Sequence, residues 1–206
     1  MKAKLIGAVV IILLAALGTS GWVGYRLFTT GFSAKTEPHA LEVIMARQIR
    51  HLAIPIEKRN AVNPIPLTPE VLKNARAHFA DHCATCHGND GSGQTPIGKN
   101  VYPKAPDLKL PDTQSMSDGE LFWVIHNGIR FTAMPAWGEG SPETDQDSWR
   151  LVHFIRHLPQ ITQEELDEMK TLNPKTPREI QEEAAFDKFL QGDDSAATAA
   201  GQAHHH

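Results

Sequence analysis

Two cysteines and the histidine that follows them are the residues of this sequence best suited to chemistry. Cys83 and Cys86 are its only 2 cysteines, and His87 comes directly after the second thiol. In a C-x-x-C-H spacing, each thiol can form a thioether with one vinyl group of a porphyrin. The histidine is then held beneath the iron as an axial ligand. The segment therefore predicts one covalently attached haem c.

A C-x-x-C pair has three other uses in proteins. A redox dithiol of the thioredoxin type needs a βαβ context, which the sequence does not show. A structural zinc ion usually takes four Cys or His ligands, and the sequence has no second cysteine pair. A disulfide between residues so close together closes a very small loop and constrains the unfolded chain little. The spacing favours haem attachment over all three.

Met134 is the predicted second axial ligand of the iron. It lies 47 residues after His87, in the stretch Thr-Ala-Met-Pro-Ala-Trp at residues 132–137. A soft thioether suits a haem that carries electrons, and His/Met ligation raises its potential. Pro135 would stiffen the loop around the sulfur. The expected hydrogen-bond acceptor for the ligating histidine is a carbonyl of the proline-rich loop, with Pro106 the first candidate.

Other ligands for the sixth position remain open from the sequence. Met116 is the rival methionine, but it directly precedes a helix cap. His126 would give bis-histidine ligation, although it falls inside a predicted helix. An open sixth position is the third possibility. Met45 and Met169 lie at helical spacings and are predicted to fill the core.

Helices must position these residues. Thr68 and Pro69 predict a helix start, and the helix continues to the haem motif. Four prolines in residues 94–115 predict little regular structure there. A capping box at residues 117–120 opens a second helix that ends at residues 127–128. A third helix is predicted over residues 146–158, where Pro159 ends it.

The N-terminal region has the pattern of a membrane-directed segment. Lys2 and Lys4 precede an uncharged run over residues 5–25, and these 21 residues would span about 31 Å as a helix. We expect an uncleaved signal anchor, with the N-terminus in the cytoplasm and the remainder exported. The alternative is a signal cleaved near residues 16–18, which would leave a soluble periplasmic protein.

The flanking segments are less specific. Residues 39–54 predict a short amphipathic helix, which would either pack on the haem domain or lie on a partner or the membrane surface. A capping box at residues 162–165 opens an acidic helix, and residues 178–190 predict a last one. Residues from 192 onward have a composition typical of disorder. The final run His204, His205 and His206 suggests either weak metal binding or the remnant of a purification tag.

Charge is unevenly distributed along the 206 residues, whose net charge is −4. Residues 1–66 carry a net +5, residues 67–160 a net −3 and residues 161–206 a net −6. The balance shows no nucleic-acid footprint, and no nucleic-acid partner is expected. The asymmetry weakly suggests the steering of charged partners or contact with charged surfaces.

With these residues in hand, the sequence resembles the class I c-type cytochromes of the mono-haem bacterial type. Residues 79–93, 105–108 and 121–138 carry the resemblance, which extends over about residues 67–160. It implies an all-α fold wrapped round one covalent haem, here preceded by a transmembrane helix. The first and last helices of the domain, near residues 69–83 and 146–158, would pack together. It also implies Cys83 and Cys86 as thioether sites and His87 and Met134 as axial iron ligands.

The resulting expectation is an electron carrier rather than an enzyme. Residues 1–28 would be the signal anchor, residues 29–66 a linker with a short amphipathic helix, residues 67–160 the haem domain, and residues 161–206 an acidic helical extension with a disordered tail. Its partners would be redox proteins, a dehydrogenase or an oxidase complex, with no small-molecule substrate at the iron. The alternatives are a fixed haem subunit of a larger oxidoreductase, a haem-based sensor or peroxidase, and a metal-handling protein that uses the terminal histidines.

Overall fold

The computed structural model describes residues 2–31 and 33–190, and all regular structure in that part is helical. The predicted disordered tail and the terminal histidines lie outside the described residues. The α-helices are α1 Lys2–Thr30, α2 Ala40–Ala53, α3 Ile56–Arg59, α4 Pro69–His78, α5 Ala84–His87, α6 Pro111–Gln114, α7 Asp118–Asn127, α8 Pro142–His157, α9 Gln163–Leu172 and α10 Pro177–Leu190. A π-helical turn, Phe79–Cys83, joins α4 to α5, and a 3₁₀ turn, Leu158–Gln160, follows α8.

Helix α1 has the length and composition of a membrane-crossing segment. Its apolar stretch Lys4–Arg26 has 23 residues and a mean hydropathy of 2.2, and none of it is buried against the rest of the protein. Among the described helices it alone reaches this length and hydropathy. Trp22 lies 5.7 Å from the guanidinium carbon of Arg26, an aromatic–cation contact typical of a membrane interface.

The core of the haem domain forms where α4 and the π-helical turn pack on α8, which also packs on α7. The rings of Phe79 and Phe154 meet here with centroids 4.9 Å apart, and both side chains are buried. Leu151, Val152 and Leu158 complete this contact from α8 and the turn after it. The packing of the first helix of the domain against its last helix, which the resemblance implied, is therefore confirmed.

Side-chain caps set where these helices begin. Thr68 accepts a hydrogen bond from the Val71 N–H at 3.1 Å, as predicted. The predicted capping box of α7 is present, with Ser117 and Glu120 bonding to each other's backbone N–H groups. Helix α8 begins four residues before the predicted residue 146, because Ser141 caps it and proline occupies its first position.

Helix α2 packs on the haem domain through its polar side. His51 Nδ1 lies 2.6 Å from Glu120 Oε1, and Arg47 pairs with Asp112. The apolar residues of α2 point away from the domain, and no residue of this helix is buried. The prediction that Met45 fills the core is therefore wrong, since its side chain is 53% exposed.

The segment after α2 is fastened to the domain by buried and hydrogen-bonded groups. Ile54 is buried, and the Ser117 hydroxyl donates to the Arg59 carbonyl at 2.5 Å. The Asn63 amide donates to the Trp149 carbonyl at 2.9 Å. The segment predicted as a linker up to residue 66 is thus an arm that follows the surface of the domain.

Helix α9 extends the packed core beyond residue 160, where the sequence-based division ended the haem domain. Met169 is fully buried, as predicted for a core methionine. Arg76 Nη1 donates to Glu165 Oε1 at 2.7 Å and pairs also with Glu168. The capping box of α9 is present as predicted, through Thr162 and Glu165.

Candidate haem site

The two thiols and the histidine lie on one continuous helical segment. Cys83 is the last residue of the π-helical turn, and Cys86 and His87 lie in the single turn of α5. Both cysteines are free thiols. Isolated π-helical turns inside α-helices are frequent at functional sites, because the extra residue redirects the side chains that follow. Here the redirected side chains are those of the haem motif.

The surroundings of Cys83 do not resemble those of a reactive dithiol. Burial, with a smaller contribution from Cys86, raises the pKa of the Cys83 thiol to about 12. Reactive cysteines have the opposite shift, because their thiolate must be stabilised. Among the described residues, no group of three or more His, Cys, Asp or Glu side chains is gathered as for a metal ion.

The loop after the haem motif supplies hydrogen-bond partners for the backbone carbonyls at the end of α5. The Thr95 hydroxyl lies 2.8 Å from the Thr85 carbonyl and 3.1 Å from the Cys86 carbonyl, and it accepts from the Gly98 N–H at 2.8 Å. The Gly93 N–H donates to the His87 carbonyl at 2.7 Å. The last carbonyls of a helix lack intrahelical partners, so these bonds hold the motif in place.

Gly98 lets this loop approach the motif closely. A Cβ atom added at Gly98 would lie 2.2 Å from the Cys86 carbonyl oxygen, a distance that real Cβ atoms do not reach. Any side chain here would push the loop away from the thiols. Glycine is therefore needed here because the loop backbone lies close to the Cys86 carbonyl, and not because the backbone adopts a positive φ.

His87 has the features of a ligand in a prepared position. Its Nδ1 atom is buried and makes no hydrogen bond of ordinary geometry. Burial lowers the pKa of His87, while the Pro106 carbonyl facing the ring opposes the shift. The neutral imidazole thus favoured is the form that binds iron. A buried imidazole with a carbonyl beside it fits a histidine that binds iron through one nitrogen and donates its remaining N–H to that carbonyl.

Met134 lies in a loop held closed by its own hydrogen bonds. The Ile129 N–H donates to the Met134 carbonyl at 3.1 Å, and the Met134 N–H donates to the Thr132 hydroxyl at 3.1 Å. Phe131, between them, has a positive φ of 63° and is exposed. The side chain of Met134 is half-buried. The loop thus presents the methionine on a fixed backbone, which its proline neighbour alone would not ensure.

The far end of this loop is attached to α7. The N–H groups of Trp137 and Gly138 donate to the carbonyls of Ile125 and His126, at 3.1 and 2.9 Å. Gly128 has a φ of 66° and lets residues 134–136 pass close to the end of α7, since an added Cβ would lie 2.6 Å from the Pro135 carbonyl carbon. A rigid helix end therefore sets the position of the methionine loop.

The rival ligands have other contacts in this structure. The His126 ring stacks on Phe122 with centroids 5.2 Å apart, and a Cβ on Gly138 would lie 2.1 Å from it. His126 Nδ1 is 3.3 Å from an Asp145 carboxylate oxygen, but like His87 Nδ1 it is buried and makes no hydrogen bond. Met116 is partly buried against the core just before α7.

Several positioning residues were missed from the sequence. Thr95 and Gly98 were read only as part of an irregular loop. His82 is exposed, but its ring also meets Trp137 edge-on at 5.2 Å, joining the π-helical turn to the methionine loop. No sequence spacing signals these contacts, because each joins segments that only the fold brings together.

Two comparisons with known proteins match part of this chain. The family model described as cytochrome C oxidase, cbb3-type, subunit III matches residues 70–155. A thiosulfate dehydrogenase from Psychrobacter arcticus is 30% identical over 89 residues, which are 42% of this chain and 25% of that protein. The chain thus spans about a quarter of the length of this relative.

Helical fold, motif and matches together define the class of protein. Together they support a class I c-type cytochrome, with the cytochrome domain over the matched residues 70–155. Such a domain carries haem, and its chemistry is electron transfer. The relative from Psychrobacter arcticus is a dehydrogenase by name.

Proposed function

We propose that this protein is a mono-haem c-type cytochrome that passes single electrons between protein partners on the exported side of a bacterial inner membrane. Cys83 and Cys86 would hold the porphyrin through thioethers, and His87 and Met134 would be the axial ligands. When bound, the haem iron supplies one-electron redox chemistry. Helix α1 would keep the protein at the membrane, with the haem domain in the periplasm.

The observation that carries the proposal is the state of His87. Its Nδ1 is buried without a hydrogen bond, it directly follows two free thiols, and the Thr95 loop holds its segment rigid. A buried polar atom without a partner requires an explanation in a native fold. Binding of iron by one ring nitrogen, with the other donating to the Pro106 carbonyl, would give both nitrogens a partner.

With both axial positions filled by protein, the chain itself keeps other ligands from the iron. The hydrogen bonds of the 129–134 turn and the attachment of Trp137 to α7 limit the movement of the Met134 side chain. Little rearrangement is then needed when the oxidation state changes. This suits electron transfer better than sensing or peroxidase chemistry, both of which need an open or labile position.

The ligand assignment is tested with two methionine variants of similar volume. We expect Met134→Leu to remove the sulfur-to-iron charge-transfer band of the oxidised protein and to allow carbon monoxide to bind the reduced protein. Met116→Leu, the matched control, should leave both spectra unchanged. Haem that stays with the denatured protein, and is lost in a Cys83→Ala, Cys86→Ala double variant, would establish covalent attachment.

Other outcomes would contradict the assignment in distinct ways. Carbon monoxide binding by the unsubstituted protein would indicate an open sixth position and favour a sensor or a catalyst. Loss of the band in Met116→Leu alone would transfer the role to that residue. A six-coordinate Met134→Leu protein that loses one ligand when His126→Leu is added would assign His126.

A second candidate is a fixed haem subunit of a larger oxidoreductase. The matches to an oxidase subunit and to a dehydrogenase favour it, and α10 leaves Ile180, Phe186 and Leu190 exposed as contact residues. A partner retained in stoichiometric amount through purification in mild detergent would support this role. A protein that purifies alone and exchanges electrons with several acceptors would support the free carrier.

A further inference from the structure

Helix α2 turns an apolar surface away from the protein. Five large side chains form this surface, which we call the α2 face, and each is 53–70% exposed: Leu41, Ile44, Met45, Ile49 and Leu52. A shallow groove lined by several of them runs along the helix. Removing such a set from water is favourable by roughly 25 cal/mol per Å² of apolar surface.

The orientation of α2 is set by its polar side. Tyr102 donates to Glu42, Arg47 pairs with Asp112, and His51 Nδ1 lies 2.6 Å from Glu120 Oε1. These contacts are spread over the length of the helix. Rolling the helix to bury the α2 face against the domain would break all of them. The face is therefore held outward rather than exposed by chance.

The position of α2 in the chain brings it close to the end of α1. Nine residues, 31–39, separate the two helices, and fully extended they reach about 30 Å. A turn closed by the Thr36 N–H and the Ser33 carbonyl shortens that reach, and Glu37 pairs with Lys104 of the domain. A domain on so short a tether lies against the bilayer that α1 spans.

Charge supports the same orientation. Residues 33–59 carry five Lys and Arg and three Glu, a net +2, whereas residues 67–160 carry −3 and residues 161–206 carry −6. An anionic lipid surface attracts the α2 side of the protein and repels the acidic C-terminal side. An amphipathic helix with an exposed apolar face is typical of a helix that lies in a membrane interface, and Arg47 of α2 pairs with Asp112 on the domain-facing side, so the attraction comes from the net charge of the segment.

We propose that the α2 face lies in the interfacial layer of the bilayer that α1 spans, so that the haem domain is held on the membrane surface in one orientation. The inference rests on the proposed anchor. Helix α2 would be a second attachment point to the membrane, and the haem domain would no longer rotate freely about the segment that joins it to α1. Electron transfer would then be restricted to partners that reach the sides of the domain left uncovered.

Spin labels on the full-length, haem-loaded protein test this inference in vesicles of phosphatidylcholine and phosphatidylglycerol. Single variants Ile49→Cys on the α2 face, Leu14→Cys in α1 and Lys170→Cys in α9 carry a nitroxide, and the unsubstituted protein is the labelling blank. Collision rates are measured with oxygen, which concentrates in the bilayer, and with a water-soluble nickel chelate. We expect an oxygen-to-nickel ratio at Ile49 several-fold above that at Lys170 and closer to that at Leu14.

The label in α1 separates failure of this inference from failure of the anchor. A bilayer-buried label at Leu14 with a water-exposed label at Ile49 would overturn the inference and leave the anchor intact. A nickel-accessible label at Leu14 would overturn both. Protection of Ile49 from both reagents, with spin–spin broadening between molecules, would show that a second copy covers the α2 face and would also overturn the inference.

Discussion

At the scale of single residues, Thr95 contributes more to the candidate site than its place in an irregular loop suggests. Its one hydroxyl lies within hydrogen-bonding distance of the Thr85 and Cys86 carbonyls and accepts from the Gly98 N–H. The side chain thus links the segment at residues 85–86 to the loop at residue 98, around the Cys86 thiol. Backbone groups that lose such a partner at a partly buried site are costly to leave unpaired.

Replacing this hydroxyl tests its importance. We expect Thr95→Val to lower the free energy of unfolding of the haem-loaded protein by about 1–2 kcal/mol, because the Gly98 N–H and the carbonyls that share the hydroxyl hydrogen lose this partner with little change in side-chain volume. Guanidinium unfolding followed by circular dichroism measures the change. Thr171→Val is the matched control, since its hydroxyl bonds only to the Glu168 carbonyl within an exposed helix, and it should shift stability by less than about 0.5 kcal/mol. Equal effects of the two variants would contradict this role for Thr95.

At the scale of elements, α9 is attached to the domain by one buried side chain and a charged cluster. Met169 is fully buried, and Glu165 accepts from Arg76 at 2.7 Å and lies 2.9 Å from His157 Nε2. Burial of Glu165 acts to raise its pKa, but the Thr162 N–H and His157 outweigh it, so the pKa is lower than usual. The ionised carboxylate is therefore preferred in the folded state.

This shift predicts how stability depends on pH. A carboxylate whose pKa is lowered on folding stabilises the protein above its usual pKa of 4.5, and the contribution disappears as the pH falls through the lowered value. We expect Glu165→Gln to lower the Tm at neutral pH, with the difference from the unsubstituted protein vanishing at acidic pH. Glutamine still completes the capping box, so the change mainly removes charge.

The control for this prediction is the neighbouring exposed carboxylate. Glu164→Gln should leave the Tm almost unchanged at every pH. A difference between the Glu165→Gln and unsubstituted proteins that stays constant from neutral to acidic pH would show that ionisation of Glu165 does not stabilise the attachment of α9.

At the scale of the whole molecule, the cytochrome domain is enclosed by segments from both sides of it in the chain. The arm over residues 54–66 crosses α7 and α8, and α9 packs on the π-helical turn and α4. Neither segment lies within residues 70–155, which the family model matches. The arm also contacts α2, since Arg59 Nη1 lies 3.0 Å from His51 Nε2.

Asn63 fastens the arm to α8 by its side chain. The Asn63 amide donates to the Trp149 carbonyl and its oxygen accepts from the Ile65 N–H. We expect Asn63→Ala to accelerate tryptic cleavage at Lys58 and Arg59 roughly fivefold, since losing about 1 kcal/mol of local stability raises the open population by that factor. Asn100→Ala, which loses only a bond to the nearby Pro96 carbonyl, should leave this rate unchanged. Unaltered cleavage in Asn63→Ala would show that the arm is held by other contacts.

The sequence alone determined the chemistry and most element types. Cys83, Cys86 and His87 are adjacent in the chain, so their spacing is readable directly, and the capping residues Thr68, Ser117 and Thr162 act within one helical turn. Met134 was predicted from its neighbours in the chain and remains a proposed ligand. The haem motif and the helix caps depend on few distant contacts, so they can be predicted from the sequence.

Only the tertiary structure decided which faces pack. The sequence favoured packing of the apolar side of α2 on the domain, yet ion pairs with Asp112 and Glu120 turn it outward. Thr95 and His82 acquire their positioning roles only where the chain brings separated segments together. The core likewise includes Met169, beyond the predicted boundary at residue 160. Such choices are made by long-range contacts, whose free energies outweigh local preference and leave no periodic signal in the sequence.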